Sequence, residues 1–226
     1  MKKVLLSLAL LAGITSAAHA QSGAFKYGVK GGFSLSSYTG NQAGYSAGYK
    51  PGFTAGVLVN YGLNDNLSLQ LEGLYSQKGC FIDDYSRTSA GNQLQYRSTL
   101  QYIDVPLLVK YNIGEDGKGF FVEVGPQGSF AVANREFTRE QGSGAGSGTE
   151  KDITTSTDGL VPVGIGYVGG LGYQITSGLG LGIRYAGDFS HVYKDGFGAG
   201  SSGVATTNNF HNGVFQFQVH YLFGGK

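Results

Sequence analysis

LSLQLEGLYSQ, residues 67–77, sets an apolar residue at almost every second position and a polar one between. Alternation at period two marks a strand with two chemically different faces. Leu67, Leu69, Leu71, Gly73 and Tyr75 share one face, and Ser68, Gln70, Glu72 and Ser76 share the other. A soluble sheet with an oily interior and a membrane barrel with an oily exterior both write this pattern. The choice between them decides the fold, and it has to come from the rest of the chain.

The composition favours lipid outside. Only 14% of residues are charged, against roughly a quarter in soluble domains, while glycine reaches 40 of 226 and tyrosine plus phenylalanine 15 + 14. The longest apolar candidate for a spanning helix, LVPVGIGYVGGLGY, is short and dense in glycine. A chain of this kind enters a membrane as a closed sheet, since only helices and closed barrels satisfy their own backbone in lipid.

The N-terminus reads as an export signal. MKKVLLSLALLAGITSAAHA carries two lysines, an apolar run and small residues at Ala18 and Ala20, so residues 1–20 are expected to be cleaved after Ala20, leaving one domain over 21–226. Without Lys2 and Lys3, 14 basic residues stand against 15 acidic ones. A net charge near –1 gives no reason to expect a nucleic-acid partner. Cys80 is the single cysteine and cannot form an internal disulfide; it reads as a small residue at a strand end. No CxxC, HExxH or His/Asp cluster occurs, so neither metal nor cofactor is expected.

Reading on at period two gives eight candidate strands, near 25–37, 51–61, 67–77, 99–112, 119–133, 159–173, 179–189 and 212–223. Each is long enough to cross a bilayer at a tilt, which takes about 9–11 residues. The connections near GLNDN (62–66), IGEDGK (113–118) and QITSG (174–178) are tight and rich in turn formers. Those near 38–50, 78–98, 134–157 and 190–211 are long and polar. All the long connections then fall at one end, the plan of an outer-membrane barrel. The fold expected is all-β, an eight-stranded antiparallel up-and-down transmembrane barrel in which the first and last strands close the ring. The glycine and serine runs QGSGAGSGTE and GFGAGSSG lack the Gly-Lys-Ser/Thr ending and following helix of a phosphate loop, and read as loops.

The strand charges must then go inward, because a charge on the lipid face near the midplane costs about 2–4 kcal/mol. Taking each apolar set as outward leaves Lys26, Lys30, Lys110 and Arg184 facing Glu72, Asp104, Glu123 and Asp188 across the lumen. Lys110 is expected directly across from Glu123, worth about 0.2–1 kcal/mol. Balanced charge in a narrow lumen predicts a paired polar plug and small conductance. Pro106 and Pro126 fall inside expected strands, where a closed barrel excuses no missing donor, so a bulge or a gap is expected at one or both.

Several segments together resemble a known family. They are GVKGGFSLS (28–36), PGFTAGVLVNYGLNDNLSLQLEGLYSQKG (51–79), LQYIDVPLLVKYNIG (100–114), GFFVEVGPQGSF (119–130), YQITSGLGLGIRY (173–185) and the closing VFQFQVHYLF. Most specific are Leu74–Gly79 and, about 25 residues on, Ile103–Tyr111. The chain resembles the eight-stranded outer-membrane β-barrels of the porin or PorT-like family of Bacteroidetes-type bacteria. The resemblance implies residence in the bacterial outer membrane, with its lipid and its assembly machinery as partners, and names no small-molecule or protein ligand. Gly224, Gly225 and Lys226 extend past the family's terminal aromatic, and Cys80 departs from its pattern.

The leading functional expectation is a non-enzymatic barrel with a structural, adhesive or narrow-transport role, since eight strands leave an interior that side chains can fill. A barrel-rim lipid-modifying hydrolase is the alternative drawn from Asp188, Ser190 and His191, although alternation sends His191 to the opposite face from the other two. A soluble exported lipocalin-like binder is a third, and 14% charge is poor material for its outer surface.

Overall fold

The computed structural model describes residues 25–40, 47–87, 93–114, 118–141, 150–154, 156–176, 178–194 and 210–224. The export signal with its cleavage point at Ala20, most of both Gly/Ser runs, and Gly225 and Lys226 lie outside the described residues.

Nine strands form, in chain order β1 (Phe25–Gly40), β2 (Ala47–Gly62), β3 (Leu67–Arg87), β4 (Gln93–Ile113), β5 (Gly119–Gln141), β6 (Glu150–Thr154), β7 (Val163–Gln174), β8 (Leu179–Asp188) and β9 (Phe210–Phe223). Eight of them close an antiparallel ring, each paired with its sequence neighbours and β1 with β9, from Tyr27 opposite Phe223 to Gly40 opposite Phe210. The short β6 lies off the ring, paired only with the far end of β5. No helix occurs among the described residues.

Several strands run further than expected at the long-connection end. β3 continues to Arg87 and β4 begins at Gln93, so most of the loop expected over 78–98 is hairpin; β5 likewise reaches Gln141. Alternation fades there because the outward face leaves the lipid while the inward face mixes buried Lys78 and Ser98 with buried Cys80, Ile82 and Leu100, so the pattern that located the strands stops before the hydrogen bonding does. In the opposite direction, the strand expected from 159 begins at Val163, and the residues before it fold into the barrel mouth.

The tight turns at the other end are built from side chains. Asn64 Oδ1 accepts from the amides of Asn66 and Leu67 at 3.0 and 2.8 Å, and Thr176 Oγ1 accepts from Gly178 and Leu179 at 3.3 and 2.9 Å. Both are the local Asx and Ser/Thr turns that reverse a chain within a few residues.

Prolines interrupt the ladder as expected. Between β3 and β4 the pairing stops at Leu71 opposite Leu107 and resumes at Leu74 opposite Asp104, skipping Pro106. Between β4 and β5 it stops at Pro106 opposite Gln127 and resumes at Val109 opposite Val124, skipping Pro126. The offset is unchanged across each gap, so the missing amide donors cost pairs without shifting register. A true bulge occurs higher on β5, where Val132 is the extra residue between Ala131 and Ala133. Gly79 takes φ +131°, and a Cβ there would stand 2.2 Å from the Ser98 carbonyl oxygen, so only glycine fits.

The two faces are those expected from the opening stretch. Val57, Leu71, Leu107, Val122, Val124, Leu171, Ile183 and Val219 point outward and are exposed, while Ser68, Gln70, Glu72, Gln216, Gln218 and His220 are buried inside. Outward aromatics gather at two heights. Phe25 with Tyr61, Tyr27 with Phe223 and Phe120 with Tyr173 pack at the short-turn end, and Phe53 with Tyr75, Tyr185 with Phe215 and Tyr167 with Phe189 at the other. An apolar band between two aromatic girdles is the exterior of a membrane barrel.

Candidate functional site

The lumen carries the chemistry, and three layers fill it. At its centre Glu72, 2% exposed, is held by two cations: Lys30 donates to its Oε1, and Arg184 Nη1 donates to Oε2 at 2.8 Å. Gln70 Nε2 donates to the same Oε1 at 2.6 Å, and Arg184 Nε donates to Gln216 Oε1 at 2.6 Å. Glu123 faces the pair more loosely, 3.8 Å from Arg184 and 4.0 Å from Lys30. Strands β1, β3, β5 and β8 thus meet through one ion network across the barrel. Leu108, Val168 and Ala186 pack as a small apolar cluster within the same wall.

Nearer the long-connection end, Lys78 joins Asp104 at 3.0 Å and Asp188 at 3.6 Å. Ser129 Oγ donates to Asp104 at 2.7 Å and accepts from Lys78 at 3.1 Å, and the Lys78 ammonium lies 4.7 Å from the Tyr102 ring centroid. Sequence reasoning missed Lys78 because the strand was expected to end at Gln77. One more step of the same alternation places it on the face of Ser68, Gln70, Glu72 and Ser76.

Above this layer the mouth is closed by chain from two connections. Leu160 and Val192 are buried with Tyr38, Cys80, Ile82, Leu100 and Tyr102, and Leu160 bridges to Tyr193. Tyr193 donates its hydroxyl to Glu136 Oε1 at 2.9 Å and meets the hydroxyls of Tyr38 and Tyr96 at 3.1 and 3.3 Å. Burial, with the Glu136 carboxylate beside it, pushes the Tyr193 phenol well above its ordinary value and keeps it a donor. Cys80 behaves here as a small buried hydrophobe.

Of the eight charges expected inside, Lys30, Glu72, Asp104, Lys110, Glu123 and Arg184 are buried. Asp188 turns its carboxylate inward to Lys78 and Asn212, and Lys26 is half-buried at the short-turn rim on the face of Lys30. Two expectations need correction. The balance of four bases and four acids is incomplete, because Lys50 and Lys78 add two buried bases and Glu136 one buried acid toward the long-connection end. Lys110 does stand opposite Glu123 in the ladder, yet it forms no ion pair with it: its ammonium lies 3.9 Å from the Phe121 ring centroid and 3.3 Å from Gln174 Oε1. Glu123 leans toward Lys30 and Arg184, where two cations outbid one.

The residues that could have made a rim hydrolase are otherwise engaged. Ser190 Oγ accepts from the Ile165 amide at 2.9 Å, Asp188 pairs with Lys78 and Asn212, and exposed His191 lies beside His211 with ring centroids 4.9 Å apart and the rings tilted by 60°. These three side chains do not line up as nucleophile, base and carboxylate.

Comparison with known proteins gives one family and a set of solved barrels. The family model described as outer membrane protein beta-barrel domain matches residues 19–194. Among solved structures, Neisserial surface protein A is 18% identical, covering 87% of this chain and 97% of its own, with a TM-score of 0.43. Ail, the attachment invasion locus protein of Yersinia pestis, is 13% identical over 90% of this chain and 100% of its own, TM-score 0.45. The outer membrane protein OprG of Pseudomonas aeruginosa is 13% identical over 90% and 98%, TM-score 0.37. No curated protein sequence matches.

Proposed function

Because the chain belongs to the outer membrane protein beta-barrel domain family, we propose that it is a non-enzymatic barrel whose plugged lumen makes it a structural or adhesive element of the bacterial outer membrane and not a conduit. One observation carries this reading: Glu72, Lys30 and Arg184 join β1, β3 and β8 straight across the lumen, below a mouth closed by Leu160, Val192 and Tyr193. An ion network spanning an eight-stranded interior leaves no continuous aqueous path for a solute. The long connections then project from the outer side and the tight turns face the periplasm, following the usual plan of such barrels. Outer-membrane lipid and the assembly machinery are the partners this role requires. The narrower porin or PorT-like placement rests on Leu74–Gly79 and Ile103–Tyr111 and is part of the same proposal.

Liposome swelling tests the reading. Vesicles holding the purified protein, transferred into an isotonic pentose, are expected to swell no faster than protein-free vesicles. Steady pentose entry that scales with protein content would favour narrow transport instead.

A further inference from the structure

Among the described residues, two buried lysines lack a carboxylate within 4.0 Å, Lys50 toward the mouth and Lys110 at the short-turn end, and Lys110 lies beside a second unpaired lysine, Lys26. Lys30, Lys78 and Arg184 each have a carboxylate within 4.0 Å, whereas neither Lys110 nor Lys26 has one among the described residues. Lys110 is 2% exposed and has three donors to place. One makes a long bond of 3.3 Å to Gln174 Oε1, and the Phe121 face takes part of the charge. Gln174 is fixed by its own donation from Nε2 to the Thr176 carbonyl at 3.0 Å, and its Oε1 also meets His220 Nε2 at 2.9 Å. That carbonyl oxygen accepts only, so His220 is the donor at Nε2. Two donors thus converge on one neutral oxygen, and no carboxylate comes within 4.0 Å of the Lys110 ammonium, Glu123 and Glu72 acting on it only from further off. In so closed a place a buried cation calls for a counter-ion.

The position is shallow. Lys110, His220 and Gln174 lie at the height of the outward girdle residues Tyr111, Tyr221 and Tyr173, and Lys26 stands at the rim between Phe25 and Tyr27. Deeper in, the Glu72 network closes the passage.

We propose that the short-turn end of the lumen binds a small oxyanion, with Lys110 as the buried ligand and Lys26 as the cation at its entrance. The anion takes up the unused donors of Lys110, and the long Lys110 side chain turns from Gln174 to meet it. It arrives from the aqueous phase at the short-turn end and stops at Glu72, so the site is a pocket and not a step in conduction. The inference therefore stands apart from the question of whether the barrel leaks.

Inorganic phosphate is the probe. The 31P linewidth of phosphate is followed as the detergent-solubilised protein is titrated in fixed sodium chloride, with folding checked by heat-modifiable gel migration. Wild type and Lys194→Ala, altered at the opposite end, are expected to broaden the line saturably. Lys26→Ala should weaken the effect severalfold and Lys110→Met should abolish it. Absence of saturable broadening with wild type overturns the proposal, as does unchanged broadening with Lys110→Met. If Lys110→Met does not fold, unchanged broadening with Lys26→Ala overturns it.

Discussion

Glu72→Ala lowers the unfolding free energy of the barrel by about 3–5 kcal/mol, the usual effect of removing one partner from a buried ion network. Among the described residues, its carboxylate alone touches both Lys30 and Arg184 at hydrogen-bond distance. Without it two cations stay inside a packed lumen, with Glu123 no nearer than 3.8 Å. Removing the cations as well, in Glu72→Ala with Lys30→Met and Arg184→Met, restores much of the loss, because no charge is then stranded. Urea unfolding in lipid vesicles, followed by tyrosine fluorescence, measures both. A loss under about 1 kcal/mol for the single variant, the scale of an exposed pair, would mean that water reaches the network.

Val57→Arg is the second large effect, and it probes the other face. Val57 is 61% exposed on β2, midway between outward Phe53 and Tyr61 of the two girdles. A charge there lies near the bilayer midplane and costs about 2–4 kcal/mol. The same unfolding assay reads it, and Val57→Ala separates the charge from the lost side chain. A soluble barrel would tolerate or welcome an arginine at so exposed a position, so a neutral or stabilising result would remove lipid from that face.

How much of this was legible in the sequence depends on what surrounds each strand. Between the girdles, lipid on one side and largely polar packing on the other impose alternation, which is why Leu71 and Glu72, and Phe217 and Gln218, could be placed on their faces from residue order alone, whereas Glu123, beside inward Phe121, was placed by the cost of a charge in lipid. Beyond the girdle the outward face is no longer held apolar by lipid and the inward face mixes Lys78 with apolar Cys80 and Ile82, so β3 and β4 continue past Gln77 and before Thr99 without a clear polar-apolar signal, and Lys78 was lost with them. The mouth was hidden for a different reason. Leu160 and Val192 belong to apolar runs, LVP and HVY, that read as the edge of a strand and as loop, and only the closed ring brings them together. Register was legible where partnership was not. Counting through the turn set Lys110 opposite Glu123, but a lumen side chain chooses among every strand of the ring, and Glu123 chose Lys30 and Arg184.

A lumen closed by its own side chains, as proposed, passes no steady current. Planar-bilayer recording of the wild-type protein, folded and inserted at single-molecule density, tests it most directly. The account predicts a baseline with no steady open level at moderate voltage, because Glu72, Lys30 and Arg184 hold the strands together across the interior. A large, steady, ohmic conductance from each inserted molecule would contradict it.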